Sequence, residues 1–278
     1  YCKIIHLDRG LVSFDLYPYQ DTMFKNFINN RFNIVLACRQ SGKSIAVVAY
    51  LLWFVIFKGE QVVGILANKG STAREMLGRI TLMLENLPFF LQPGCKALNK
   101  GSIEFCNNSR LIASATSASS VRSFSMNLIY LDEFAFVEQD IEFYTSTYPV
   151  ISSGKTSKVI ITSTHNNINC MYYKIYEKAM QGVNEYIPFR VDWWDVPGRD
   201  EVWKKQTIAN TSQIQFDREF GNIVNAIGNT LISPETLLSL SSRDPLVITN
   251  SVKIYNNPIE DHNYLMFVDV SKGRGMDY

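Results

Sequence analysis

The stretch that decides the fold is "NIVLACRQSGKS" at residues 33–44, where an apolar run passes into small and polar residues and ends in Gly-Lys-Ser. A buried strand that leads into such a loop is typical of a phosphate-binding loop, whose backbone N–H groups surround a phosphate. Ala37 replaces the first glycine of the usual pattern. The apolar run at residues 45–57 predicts a buried helix directly behind the loop, and its N-terminus adds N–H groups to the anion site.

Each residue of the loop end has a predicted task. Lys43 meets the β- and γ-phosphates, and the Ser44 hydroxyl ligates Mg²⁺. The backbone amides of Gln40, Ser41 and Gly42 bind the phosphate oxygens. The alternative is a Gly-Lys-Ser that occurs by chance in a turn, and the strand before it and the helix after it argue against this.

Composition narrows the class of protein. The chain has 278 residues, 46% of them hydrophobic, and a net charge of +1, so a sizeable core is expected and a globally basic nucleic-acid binder is not. Five scattered cysteines without a C-x-x-C pair argue against a disulfide framework and against a zinc site. The longest apolar run, residues 45–57, is shorter than the roughly 20 residues that cross a bilayer.

Short apolar, β-branched runs are typical of parallel strands that are buried on both faces. They alternate with helical patterns, which predicts an α/β fold with βαβ units. Thr72 and Glu75 are spaced as a capping box at the start of one helix, and Pro88 closes it. The predicted strands are residues 33–37, 62–67, 128–131 and 159–161, with a hairpin at 102–106 and 111–115; the predicted helices are 45–57, 72–87, 169–180, 201–209 and 212–220.

A second chemical element is "LIYLDEFAF" at residues 128–136, an apolar strand that ends in two adjacent carboxylates. At the carboxyl end of the strand, both can reach the phosphate crevice. We expect Asp132 to hold Mg²⁺, through water or Ser44, and Glu133 to act as general base on the attacking water. The alternative is an acidic helix N-terminus after a core strand.

Four motifs in this order and spacing, "LYPYQ", "CRQSGKS", "IYLDEFAF" and "VIITSTHNN", resemble the N-terminal ATPase region of the myovirus-like large terminase subunit of tailed bacteriophages. The resemblance implies a P-loop NTPase fold of the RecA/ASCE type, with ATP and Mg²⁺ as cofactors. It further implies an ATP-hydrolysing motor that moves double-stranded viral DNA into a procapsid. The rival interpretations are a helicase-type translocase and an assembly scaffold without turnover.

The resemblance also suggests residue roles. An arginine stands inside the family's Walker A motif, as Arg39 does here, which makes Arg39 a candidate for γ-phosphate contact; pairing with a nearby carboxylate is the alternative. In the adenine-recognition segment, Gln20 is the candidate that reads the base, with Tyr17 or Tyr19 packing on the ring. A plain aromatic-proline turn is the alternative there.

Two further family motifs lie in the middle of the chain. "TST" resembles the coupling motif that senses the γ-phosphate, with Thr162 and Thr164 as candidates, although His165 follows where the family often has proline. Arg122 corresponds to an arginine that reaches the neighbouring subunit's nucleotide in a ring, and Ser123 replaces the usual glycine after it. A surface salt bridge is the alternative for Arg122.

The C-terminal "YLMFVDVSKGRGMDY" resembles the opening strand of the terminase nuclease domain, an RNase H-like fold in which Asp269 would ligate a metal; a strand-end aspartate without a role is the alternative. We expect a fragment that does not cut DNA, because the other carboxylates would lie beyond Tyr278. The predicted domains are an ATPase core at residues 1–205, a small helical lid and linker at 206–250, and the nuclease start at 251–278.

The family also implies partners: double-stranded DNA, a portal protein, a small terminase subunit and further copies of the chain in a ring, without a membrane. The implied location is the cytoplasm of the infected bacterial host, transiently at the procapsid portal and not in the mature virion.

Overall fold

The structure is a computed structural model that describes residues 1–116, 125–152, 154–223, 245–249, 252–257, 259–260 and 262. Arg122, Asp269 and the strand predicted near the C-terminus lie outside these residues. The chain divides into two compact units, Tyr1–Ile227 and Gly228–Tyr278. The described part of the second unit contains an antiparallel pair, β11 (Val247–Thr249) and β12 (Val252–Ile254). The predicted domain limits remain predictions.

The first unit is built on an eight-stranded sheet that is mostly parallel, which confirms the predicted fold class. The parallel strands are β3 (Phe32–Ala37), β4 (Val62–Ala67), β7 (Arg110–Ala115), β8 (Leu128–Asp132), β9 (Lys158–Ser163) and β10 (Ile187–Val191). β5 (Cys95–Leu98) and β6 (Ser102–Phe105) extend one edge as antiparallel strands, and β1 (Lys3–His6) pairs separately with β2 (Gly10–Ser13). The order is β10-β3-β9-β8-β4-β7-β6-β5, so β9 lies between the strand that leads into the phosphate loop and the strand that ends in the carboxylates.

Helices cover both faces of the sheet. The bounds are α1 (Pro18–Asn29), α2 (Lys43–Phe57), α3 (Gly70–Glu85), α4 (Asp140–Ser152), α5 (Met171–Met180), α6 (Glu201–Asn210) and α7 (Gln213–Glu219). In β3, Val35 and Ala37 pack into a core with α1, α2 and α3, whereas Ile34 and Leu36 pack into a second core with α4 and α5. Both sets are buried, which is why β3 has a continuous apolar sequence. Among the described helices, none combines the length and apolarity needed to cross a bilayer.

The start of α3 differs from the prediction. The helix begins at Gly70 behind Lys69, which makes no side-chain capping bond, so the predicted capping box at Thr72 is wrong. Thr72 instead lies inside the first turn, where its N–H donates to the Lys69 carbonyl at 3.0 Å. Glu75 pairs with Arg79 one turn later at 3.3 Å. The local spacing was right for a capping box, but the helix extends two residues further towards its N-terminus.

Candidate nucleotide-binding site

The loop between β3 and α2 has the backbone of an anion site. Gly42 has φ 75°, and a Cβ there would lie 2.8 Å from Gln20 Nε2, so the position favours glycine for both its backbone conformation and its space. Gln40 is also left-handed, with φ 56°. The N–H groups of residues 40–44 have no acceptor among the described residues. Successive free N–H groups ahead of a helix form a concavity that suits a phosphate.

Lys43 lies at the bottom of this loop and is buried, with only 6% of its surface exposed. Its Nζ is 2.6 Å from Glu133 Oε1. The other carboxylate oxygen, Oε2, accepts from Ser163 Oγ at 3.3 Å and from the Thr164 N–H at 3.2 Å. Glu133 itself has φ 49°, a left-handed conformation that is rare without glycine and that clusters at functional sites. The general-base candidate is therefore held at both oxygens.

Asp132 is held by three hydroxyl groups. Its Oδ1 accepts from Ser44 Oγ at 3.2 Å, from Tyr130 OH at 2.6 Å and from Thr162 Oγ1 at 3.0 Å. The register of β8 and β9 places Asp132 directly beside Thr162, which explains the last contact. Burial, together with the Glu133 charge, raises the pKa of Asp132. A cation beside this carboxylate would offset the cost of burying its charge.

The donor set fits Mg²⁺ when the other ligands come from phosphate and water. Ser44 and Asp132 supply oxygen atoms, the ligands that Mg²⁺ prefers, and these two atoms are 3.2 Å apart. Within the described ranges, no cluster of three or more His, Cys, Asp or Glu side chains is arranged to hold a metal alone. The loop opens into a cleft of about 1250 Å³ that α3 and β1 also line, large enough for a nucleotide.

The Arg39 side chain is 64% exposed, and its Nη1 lies 2.9 Å from Glu219 Oε2 on α7. This is the carboxylate pairing that the sequence left open as the alternative. Contact between Arg39 and a γ-phosphate remains a prediction.

Gln20 is fully buried and supports the loop. Its Oε1 accepts from the Tyr17 N–H at 3.0 Å, which caps α1, and its Nε2 donates to the Gly42 carbonyl at 3.3 Å. The Tyr19 hydroxyl donates to the Ser41 carbonyl. These contacts give α1 a role in shaping the loop, and adenine recognition by Gln20 stays a prediction.

Some of these contacts involve residues or atoms that sequence reasoning did not assign. Tyr130 stands two positions before Asp132, so strand alternation puts both on one face of β8. That spacing could have indicated that Tyr130 lies beside Asp132. Within "TST", the Ser163 hydroxyl and the Thr164 N–H contact Glu133, whereas Thr162 serves Asp132. Nothing in the sequence distinguishes a backbone N–H from a hydroxyl as the contact group.

The sequence around this site matches a known protein family. The family described as the N-terminal region of the terminase large subunit, T4likevirus-type, matches residues 34–234, which include the loop, both carboxylates and the strand that follows. The chain belongs to this family. The predicted membership in the large terminase subunits is thereby confirmed.

Solved structures of terminases share the fold. The large terminase ATPase domain of Thermus phage P74-26 is 17% identical, with a TM-score of 0.61 over 76% of this chain and 94% of that one. The HK97 bacteriophage large terminase is 16% identical, with a TM-score of 0.65 over 78% of this chain and 52% of that one. A large terminase from a thermophilic bacteriophage in complex with ATP-gamma-S is 11% identical, with a TM-score of 0.60 over 75% of this chain and 53% of that one. This chain thus spans about half of the longer terminases that it matches.

Proposed function

We propose that this chain hydrolyses ATP and is the motor part of a large terminase that moves double-stranded DNA into a procapsid. The observation that carries the proposal is the joint placement of Lys43 against Glu133 and of Ser44 against Asp132, at 2.6 Å and 3.2 Å, at the end of a phosphate-loop strand and helix. Family membership supports the same conclusion.

Each residue of the site has a separate role in the proposed hydrolysis. Lys43 exchanges the Glu133 oxygen for phosphate oxygens when ATP arrives, because both are anions within reach of one buried ammonium. Oε1 of Glu133 is then available to accept a proton from the attacking water, while Ser163 and the Thr164 N–H keep Oε2 in place. Tyr130 and Thr162 hold Asp132 so that it and Ser44 can ligate Mg²⁺. Bound Mg²⁺ supplies charge neutralisation on the β- and γ-phosphate oxygens.

The proposal extends to residues and partners outside these contacts. Gln20 reads adenine, Arg39 reaches the γ-phosphate once it leaves Glu219, and Arg122 acts on the nucleotide of a neighbouring copy in a ring. The partners are DNA, a portal protein and a small terminase subunit, in the cytoplasm of an infected bacterium. Residues 251–278 begin a metal-dependent nuclease domain in which Asp269 is a ligand.

The central test is Glu133→Gln, which keeps the shape and removes the proton acceptor. ATP binding should be retained, and turnover should fall by at least about 100-fold, since a positioned general base contributes roughly 10²–10⁴. Glu138→Gln is the matched control, because Glu138 is exposed and lies in the same segment. Turnover that is unchanged in Glu133→Gln removes Glu133 from its role. A wild-type chain that binds ATP without turnover, alone and with DNA and portal-bearing procapsids, supports the scaffold instead.

The action of Arg122 between copies has a separate test. Arg122→Ala chains and Glu133→Gln chains are mixed at several ratios. Activity should partly return, since an Arg122→Ala chain beside a Glu133→Gln neighbour combines an intact general base with an intact arginine, whereas the reverse order lacks both. No rescue at any ratio, with both variants still assembled, contradicts action in trans.

A further inference from the structure

The outer rim of the phosphate loop is clamped by Arg199, a residue just before α6 that lies outside all four family motifs. Its guanidinium donates to the Arg39 carbonyl from both Nη atoms at 3.2 Å, and to the Gln40 carbonyl from Nη2 at 3.0 Å. Nη1 also lies 3.4 Å from Cys38 Sγ. One side chain therefore engages three consecutive loop residues.

Two aromatic rings pack against this guanidinium. Its Cζ lies 4.7 Å from the centroid of Trp203 on α6 and 5.2 Å from that of Phe220. Asp200 caps α6 by accepting from the Trp203 N–H at 2.8 Å, which sets the start of the helix beside Arg199. A guanidinium that is packed against two rings loses little further freedom when it binds carbonyl groups.

The direction of the two carbonyl groups determines the direction of the next two N–H groups. A trans peptide unit is planar, with its C=O and N–H pointing to opposite sides. Because the Arg39 and Gln40 carbonyls point at Arg199, the N–H groups of Gln40 and Ser41 point away from it. Gln40 has φ 56°, a conformation that costs free energy without glycine and needs an external contact to persist.

We propose that Arg199 is a positioning residue for phosphate binding. It holds the peptide units of residues 39–41 with their N–H groups turned into the loop, so that they are preorganised for the anion. This role rests on the proposed nucleotide function. Arg199 need not touch the nucleotide, because it acts through the backbone that does.

The test measures Mg·ADP and inorganic pyrophosphate binding to the 278-residue chain by calorimetry, for wild type and Arg199→Gln. We expect about tenfold weaker binding of both ligands, by similar factors, because the affected N–H groups contact phosphate and not the base. The KM for ATP should rise by a similar factor with little change in kcat, since the lost contacts serve substrate and transition state alike. Arg199→Lys keeps the charge without the fork and should recover part of the affinity.

Arg218→Gln is the matched control, because Arg218 is an exposed arginine on α7. Its affinity for both ligands should equal that of the wild type. If Arg199→Gln does not fold, as judged by thermal unfolding, Arg199→Lys and Trp203→Leu decide the question, and each should weaken both ligands in a folded chain.

The outcomes separate the two levels of the proposal. A wild-type chain that binds neither ligand overturns the proposed function itself. Wild-type binding with unchanged affinity in the folded Arg199 variants overturns the positioning role alone. A loss confined to ADP, with pyrophosphate unaffected, also overturns it.

Discussion

Acidification should destabilise this chain through His165, which follows the "TST" segment. Its imidazole is only 6% exposed, and Nδ1 has no hydrogen-bond partner among the described residues. The ring packs against Tyr173 with 5.8 Å between centroids. Burial, with a smaller contribution from the Arg190 charge, lowers the pKa of His165 to about 4. The folded chain therefore holds this side chain neutral at pH values where an exposed histidine is protonated.

The sign and size of the effect follow from proton linkage. Between a folded pKa of about 4 and an unfolded pKa of about 6.5, the unfolded chain binds more protons, so the free energy of unfolding falls as the pH falls. The contribution of His165 to this loss is ~0.1 kcal/mol at about pH 7.5 and ~2 kcal/mol at about pH 5. Other groups also titrate in this range, so a variant must isolate the histidine.

Urea unfolding of wild type and His165→Gln at about pH 7.5 and about pH 5 measures the contribution of His165 to the free energy of unfolding. Glutamine cannot be protonated here, so the stability of the wild type relative to the variant should fall by roughly 2 kcal/mol between the two conditions. His6→Gln, on β1, is the control for removing a histidine elsewhere in the chain. A wild-type-minus-variant difference that is the same at both pH values would refute burial of a neutral His165.

Three further substitutions test the supports of the site. Gly42→Ala should lower the melting temperature and the ADP affinity, because a left-handed alanine costs roughly 1–2 kcal/mol and its Cβ would lie 2.8 Å from Gln20 Nε2. A melting curve like that of the wild type would contradict this. Tyr130→Phe removes a buried hydrogen-bond donor to Asp132 and should raise the Mg²⁺ concentration for half-maximal ATPase activity by roughly tenfold. An unchanged Mg²⁺ titration would exclude a role of Tyr130 in holding Asp132 for the metal. Lys158→Met removes an ammonium that donates to three carbonyls at the C-terminus of α1, at 2.7–2.9 Å. The free energy of unfolding, measured in urea, should fall by about 2 kcal/mol. A decrease below about 0.5 kcal/mol would show that water replaces the ammonium.

Sequence reasoning succeeded where the physical cause is local. The parallel strands of the core have continuous apolar sequences because helices cover both faces, so β3, β4, β8 and β9 were predicted within a few residues. The meeting of Ser44 and Asp132 was expected because parallel strands present their carboxyl ends at one edge. Both inferences need only periodicity and the chain order of the motifs.

It failed where a contact depends on elements that are distant in sequence. Arg199 lies about 160 residues after the loop that it clamps, in a turn-rich segment without periodicity. The Glu219 partner of Arg39 is likewise set by how α7 packs against the loop. α1 was missed for a different reason, because "LYPYQ" was interpreted as a base-recognition segment or an aromatic-proline turn and not as a helix start that Gln20 caps locally. The contacts of Arg199 and Glu219 follow from tertiary packing, which no local pattern encodes.

The ion pair between Lys43 and Glu133 determines when the Glu133 carboxylate is free. While the ammonium occupies Oε1 at 2.6 Å, and Ser163 and Thr164 occupy Oε2, both oxygens of this carboxylate are engaged. An anion that enters the loop competes with Glu133 for Lys43, so its binding would free Oε1 of the carboxylate. We therefore expect Glu133 to stay ion-paired in the unliganded chain, and its carboxylate to become a proton acceptor only while an anion occupies the loop.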